Sequence, residues 1–169
     1  RLVAKSLALT VSLALLALAL ARPVQDSGKI EFPVGSVNVM AIVDVSRSMA
    51  VPDYAGKLPK PYADGRRLDM AKYLLVTEVI GSLGYNRLGV VTYAGGPFPQ
   101  AFVTDDMPPL KWVLDRAMAV GRAPGEGSDI AKALVLAFQM LDLDAKKSTR
   151  NVIILMSDGG NDSSADEMR

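Results

Sequence analysis

An α/β protein, with a doubly wound, mostly parallel sheet and helices on both faces, is predicted by three features of this 169-residue sequence. Short apolar runs rich in β-branched residues occur at 37–43 (VNVMAIV), 88–93 (LGVVTY) and 152–156 (VIILM). The first, a continuous apolar run without polar alternation, marks a strand buried on both faces; the second marks another buried strand and the third a further apolar strand. Between them lie segments whose apolar residues recur at helical spacing, the alternation that builds such a sheet. Two of the runs also break abruptly into carboxylates, Asp44 and Asp158. In open α/β sheets ligands sit outside the carboxyl ends of the strands.

Residues 1–22 differ in kind from the rest. The stretch SLALTVSLALLALALA is uncharged, and with Leu2 to Ala4 and a snorkelling Lys5 it reaches about 20 residues, one hydrocarbon core. A transmembrane anchor over 1–22 is expected, preceding the α/β domain. Arg1 and Lys5 place its leading end in the cytoplasm and the α/β domain outside it. Ala17-Leu18-Ala19 and Ala19-Leu20-Ala21 also resemble cleavage sites, so a cleaved signal peptide is the alternative. Residues 23–36, with Pro23, Gly28, Pro33 and Gly35, read as a juxtamembrane linker, and 37–169 as the domain.

Within the domain, residues 50–66 hold three prolines and two glycines and form a long polar loop. Leu68, Ala71, Leu75 and Val79 mark a helix that Gly81 and Gly84 stop. After the second strand, Gly95-Gly96-Pro97 makes a turn, and 100–104 is a short strand whose neighbour Pro99 favours a sheet edge. Asp105 or Asp106 caps a helix with Pro108 and Pro109 in its first turn and Leu110, Val113, Leu114 and Ala117 on its apolar face. Beyond the loop 122–127, Ser128 is placed to cap a last helix, with Ile130, Leu134, Ala137, Phe138 and Leu141 inward.

Composition narrows the chemistry. The chain has no cysteine and no histidine, which excludes disulfides, thiolate nucleophiles, Cys/His zinc sites, haem-histidine ligation and Ser-His-Asp triads. A metal would need oxygen ligands, hence Mg²⁺, Mn²⁺ or Ca²⁺. The formal net charge is +1, but residues 23–169 carry 16 basic against 18 acidic groups. With no basic stripe, no nucleic-acid partner is expected.

Oxygen-bearing side chains cluster in three segments at strand ends or helix starts: Asp44-x-Ser46-x-Ser48, Gly127-Ser128-Asp129 and Ser157-Asp158-Gly159. Each alone has an ordinary explanation, as a hydrogen-bonded turn, an N-cap and a turn dipeptide. Together, where the topology puts a ligand, they suit a divalent cation. Alternate Asp, Ser and Ser on one loop place three side-chain oxygens on one concave side, and a hydroxyl and a carboxylate from neighbouring loops complete a shell. A Mg²⁺-dependent phosphotransferase or phosphatase with Asp44 as nucleophile is the enzymatic alternative. Against it, Ser46 stands where a second Asp would, and no Walker sequence is present. An enzyme is therefore not expected.

At these residues the sequence resembles von Willebrand factor A (VWA) domains. DVSRSM stands where that family has the Asp-x-Ser-x-Ser of its metal-ion-dependent adhesion site. GSDIAKAL matches the segment carrying its Thr or Ser ligand, and ILMSDGG the strand ending in its last Asp. The resemblance implies that Asp44, Ser46, Ser48, Ser128 and Asp158 bind Mg²⁺ (or Mn²⁺ or Ca²⁺), some through water. LALALARP before the domain, and RLDMAK and RLGVVTYAGGPFPQAFVTDD within it, are similar to bacterial membrane-anchored aerotolerance (Bat-type) members, which are associated with MoxR-type AAA+ ATPases.

The implied function is divalent-cation-dependent protein–protein recognition at a bacterial inner membrane, with the domain periplasmic or otherwise extracytoplasmic. A partner's acidic side chain would reach the ion's open position. Arg47, Tyr54, Tyr62, Phe98 and Glu126, in the loops around the site, are the expected partner contacts; ordinary loop packing is the alternative for the aromatics. A structural scaffold with a degenerate site is a third reading, disfavoured because all five ligand positions bear oxygen. Two departures stand out. The 50–66 loop is longer than usual, and the chain stops soon after Asp158, so a C-terminally truncated domain is expected. The family's six-stranded sheet would then be represented by four strands, leaving 152–156 as an apolar edge and an aggregation hazard.

Overall fold

The computed structural model describes residues 10–13, 37–144 and 150–160. Four strands, β1 (Val37–Asp44), β2 (Arg87–Tyr93), β3 (Pro97–Thr104) and β4 (Arg150–Met156), form one sheet in the order β3-β2-β1-β4. β1 pairs in parallel with β2 on one side and β4 on the other, and β3 runs antiparallel to β2. The mostly parallel sheet is as expected. Its order reverses at β1, so the crevice at such a switch point opens beside the end of β1, where Asp44 stands.

Helix α1 (Arg67–Leu74) passes through a π-helical turn (Leu75–Val79) into α2 (Ile80–Ser82). Gly84, at φ +56°, takes the left-handed conformation that ends the segment. α3 (Met107–Arg116) and α4 (Ile130–Asp142) come after β3. All eight residues of β1 are buried, and they alternate between two cores. Val39, Ala41 and Val43 join Leu68, Leu75, Leu110 and Leu114 on one face; Met40 and Ile42 join Ala133, Ala137 and Met140 on the other. Each large side chain so buried stabilises the fold by about 1.5–3 kcal/mol. Asp44 is therefore mounted on the most rigidly held strand of the sheet.

Three expectations of detail are corrected. β3 begins at Pro97, not Gln100; on an edge strand two prolines cost few ladder bonds, and the register shifts beside Pro99 absorb them. Phe138 is 56% exposed rather than inward. Ala133 and Met140 join the expected Ala137 and Leu141 on the inner face, where the two alanines let α4 lie close to the sheet. The cap of α4 is Asp129, whose carboxylate accepts from the Lys132 N–H, rather than Ser128.

At the amino ends of the strands, Arg87 grips Asp144 through two bonds of 2.6 and 2.8 Å, and the Asn38 amide donates to the same carboxylate. β4 is the other sheet edge among the described residues, with Leu155 exposed, in keeping with an apolar edge at 152–156. The expected anchor (1–22) and linker (23–36) lie outside the described residues, apart from 10–13. Among the described residues no helix is long and apolar enough to cross a membrane.

Candidate metal centre

β1 delivers Asp44 to the carboxyl edge of the sheet fully buried. One carboxylate oxygen accepts the Ser46 N–H at 2.8 Å, closing an Asx-type turn. The other accepts the hydroxyls of Ser128 at 3.2 Å and Ser157 at 3.4 Å. A short 3₁₀ turn (Arg47–Ala50) comes next, closed by the Met49 N–H on the Ser46 carbonyl. That turn brings the alternate hydroxyls of Ser46 and Ser48 within 3.0 Å of each other. Ser128, displaced from the expected cap, faces Asp44 instead.

Asp158 lies just past β4 with its side chain only 11% exposed. Its Oδ1 accepts the Gly160 N–H at 3.4 Å and its Oδ2 accepts Arg67 at 2.7 Å. Oδ1 and the Ser128 hydroxyl both flank Gly160, 3.6 and 3.9 Å from where its Cβ would stand, so they face one small volume. Burial pushes the Asp158 carboxyl up, but bonds from Ser48, Gly160 and Arg67, with the guanidinium charge, outweigh it and hold it below the usual range. Contacts of Ser128 with Asp44, of Ser48 with Asp158 and of Ser46 with Ser48 thus bring the five expected ligand positions together.

Close backbone approach holds the surrounding loops. Gly121 N–H bonds to the Val45 carbonyl, Gly96 N–H to Pro124, and Asp129 N–H to Ala94. Gly95 lies so close to the Glu126 backbone that any Cβ would collide with it. These contacts form a cleft of about 430 Å³ lined by Ser46, Arg47, Ser48, Glu126 and Ser128.

The donor set suits a hard divalent cation. It consists of carboxylates and hydroxyls, and among the described residues no basic side chain pairs with Asp44. A fully buried carboxylate without counter-charge is costly, and a bound cation would supply the missing charge. Beside it, the Tyr93 hydroxyl is buried without a hydrogen bond of acceptable geometry. Burial pushes this phenol up to about 12; Ser157 opposes the shift, and the Asp44 and Asp158 charges add to it. Among the described residues no three or more His, Cys, Asp or Glu side chains are grouped so as to hold a metal ion, so an ion here would have two carboxylates and depend on hydroxyls for the rest.

Arg47 and Glu126 stand together at the mouth of the cleft as an exposed ion pair of 2.6 Å. Tyr54 is half-buried beside Arg67 and Asp158 in a neighbouring cleft of about 440 Å³, and Phe98 is 43% exposed on β3. Tyr62 does not join them. It is buried against Tyr73 and donates to Asp115 at 2.8 Å, so it packs the 50–66 loop rather than meeting solvent. Two participants, Tyr93 and Arg67, are not singled out by the sequence motifs, whereas Ser157 belongs to the expected Ser157-Asp158-Gly159 segment.

Residues 39–161 match the von Willebrand factor type A domain. The chain belongs to this family. Among solved structures it is similar to the conserved hypothetical protein BatB from Bacteroides thetaiotaomicron, at 25% identity over 74% of this chain and 57% of that one, with a TM-score of 0.55. It is also similar to a membrane spanning protein from Vibrio fischeri, at 27% identity over 62% and 48%, with a TM-score of 0.52. An aerotolerance-related membrane protein from Bacteroides fragilis shares the fold at 24% identity over 70% and 53%, with a TM-score of 0.55. The chain spans about half the length of these relatives. No curated protein matches it.

Proposed function

We propose that this VWA domain is a divalent-cation-dependent protein-binding module that recognises an acidic side chain of a partner. The observation that carries this reading is Asp44, fully buried among hydroxyls with no basic partner among the described residues, next to a cleft that Ser46, Ser48 and Ser128 line. Asp44, Ser46, Ser48, Ser128 and Asp158 would hold Mg²⁺ or Mn²⁺, and Ca²⁺ is the third candidate. When bound, the ion offers an open coordination position to a carboxylate oxygen. The chain's own residues shape the approach. Arg47 and Glu126, exposed and salt-bridged, separate at little cost because such surface pairs contribute about 0–1 kcal/mol. Arg47 can then donate to an incoming carboxylate in bidentate fashion. Glu126 repels acid that arrives off register.

Membrane attachment through residues 1–22, an extracytoplasmic domain at a bacterial inner membrane and assembly with a MoxR-type AAA+ ATPase complete the proposal. Similarity to proteins described as membrane spanning and aerotolerance-related supports this setting. No observation favours the Asp44 nucleophile of a phosphotransferase. Against it, Ser46 stands where the second Asp of such an enzyme would.

The test is thermal unfolding of the full chain with and without metal. At a hundred times Kd, Mg²⁺ or Mn²⁺ should add about 2.7 kcal/mol of stability over EDTA. Asp44→Ala should abolish that shift. A wild-type chain whose melting temperature ignores both ions would sink the metal reading.

A further inference from the structure

We propose that Arg67 is a built-in counter-cation of the metal centre, shared between Asp158 and Asp53, and that it sets the centre's affinity for its ion. Ion binding at Asp158 shifts Arg67 onto Asp53 and so links site occupancy to the 50–66 loop. The inference rests on the metal reading above and deepens it.

The geometry is explicit. Arg67 is the first residue of α1, and its own N–H bonds to the Val51 carbonyl, which fixes its backbone at the exit of the loop. From there Nε reaches Asp53 at 2.6 Å and Nη1 reaches Asp158 at 2.7 Å. The two acids differ in setting. The Asp158 side chain is 11% exposed and that of Asp53 47%, so the Asp158 arm is the less screened by solvent.

A guanidinium keeps its charge in a protein, so Arg67 does not yield by losing a proton. A divalent cation bound by Asp158 would share that carboxylate with Arg67, and the two positive charges repel. Relief lies in motion of Arg67 toward Asp53, which already holds its other nitrogen. Asp53 belongs to the turn where Ala55 N–H bonds to Pro52 and Lys57 reaches the Asp53 carbonyl, so the shift bears directly on the loop. By linkage, whatever draws Asp53 away from Arg67 weakens the ion, and whatever holds it there strengthens the ion.

Opposite signs at the two ends test this. In the full chain, Mn²⁺ binding is measured by EPR of the free ion, with circular dichroism to confirm folding. Arg67→Gln should bind Mn²⁺ roughly ten-fold tighter, since a nearby positive charge is removed. Asp53→Asn should bind it several-fold more weakly, since Arg67 is then left wholly to Asp158. Trypsin cleavage after Lys57 supplies an independent readout: Mn²⁺ should alter its rate in the wild type and not in Arg67→Gln. Should Arg67→Gln fail to fold, Arg67→Lys retains the charge but not the two-armed reach. It should keep near-wild-type affinity and lose the protease response.

Weaker or unchanged Mn²⁺ binding by a folded Arg67→Gln, in a wild type that binds the ion, would overturn the inference and leave the metal centre standing. Arg67 would then merely position Asp158. Equal Mn²⁺ binding by wild type and Asp44→Ala would overturn both.

Discussion

Tyr93→Phe removes one oxygen, and the structure gives the removal a stabilising sign. Tyr93 is the cross-strand partner of Asp44 and is fully buried; its hydroxyl lies against Asp44 and Ser157, but among the described residues it makes no hydrogen bond of good geometry. Burying a hydroxyl without a partner costs about 1–3 kcal/mol on the protein scale. Deleting it leaves a void of about 15 Å³ at most, worth about 0.4 kcal/mol at roughly 24 cal/mol per Å³. The net gain is about 1–2 kcal/mol, or about 3–6 °C in Tm for a domain of this size. Urea and thermal unfolding of the full chain in EDTA at pH 7 measure it.

Alkaline pH supplies a second readout. The phenol is held up at about 12 in the folded state, chiefly by burial, against about 10 unfolded. A folded value above the unfolded one means stability fully present below pH 10 and lost progressively as pH rises toward 12. The Phe variant lacks that loss, so its advantage should widen above pH 10. A variant less stable than wild type by about 1 kcal/mol or more at pH 7 would refute the reasoning, because it would mean the hydroxyl has a good partner.

Two further substitutions probe the frame around the centre. Arg87→Ala strips Asp144 of its two-bonded partner while leaving the carboxylate buried, and should cost about 3–5 kcal/mol in urea unfolding. Gly95→Ala drives a Cβ into the Glu126 backbone; it should lower stability by about 1–3 kcal/mol and weaken Mn²⁺ binding in the EPR titration, because Ser128 moves with that loop.

Most of the fold was legible because its signals are local. Continuous β-branched runs mark strands whatever the rest of the chain does, buried on both faces at β1 and only partly covered at the edge strand β4, and they put Asp44 and Asp158 at strand ends. The convergence of Ser46 and Ser48 was legible for the same reason, since alternation along one loop converts directly into hydroxyls on one side. Failures came where a long-range contact outbid a local preference. Ser128 reads as a cap but gives its hydroxyl to Asp44, 84 positions away, and Asp129 caps instead. Phe138 fits the helical stripe, yet the close approach of α4 admits alanines on that face and turns the ring outward. Tyr62 reads as a loop aromatic on offer to a partner, but Asp115 holds it down.

Arg67 was illegible for a related reason, since its partners lie 14 and 91 positions away. The sequence did contain a discord, however. A helix N-terminus carries partial positive charge, so a cation in its first turn is locally unfavourable. Arg66-Arg67 opens α1 with two, while Asp69, which accepts the Arg66 N–H, is the acidic residue the position favours. Arg66 turns aside to Asp64. Arg67 instead stays over the site, held by Asp53 and Asp158. A residue that breaks a local rule must be compensated elsewhere, and such breaks gather where function needs them. Here the compensation is Asp158, an acid of the proposed metal centre, so the helix start and that site would be coupled through one guanidinium.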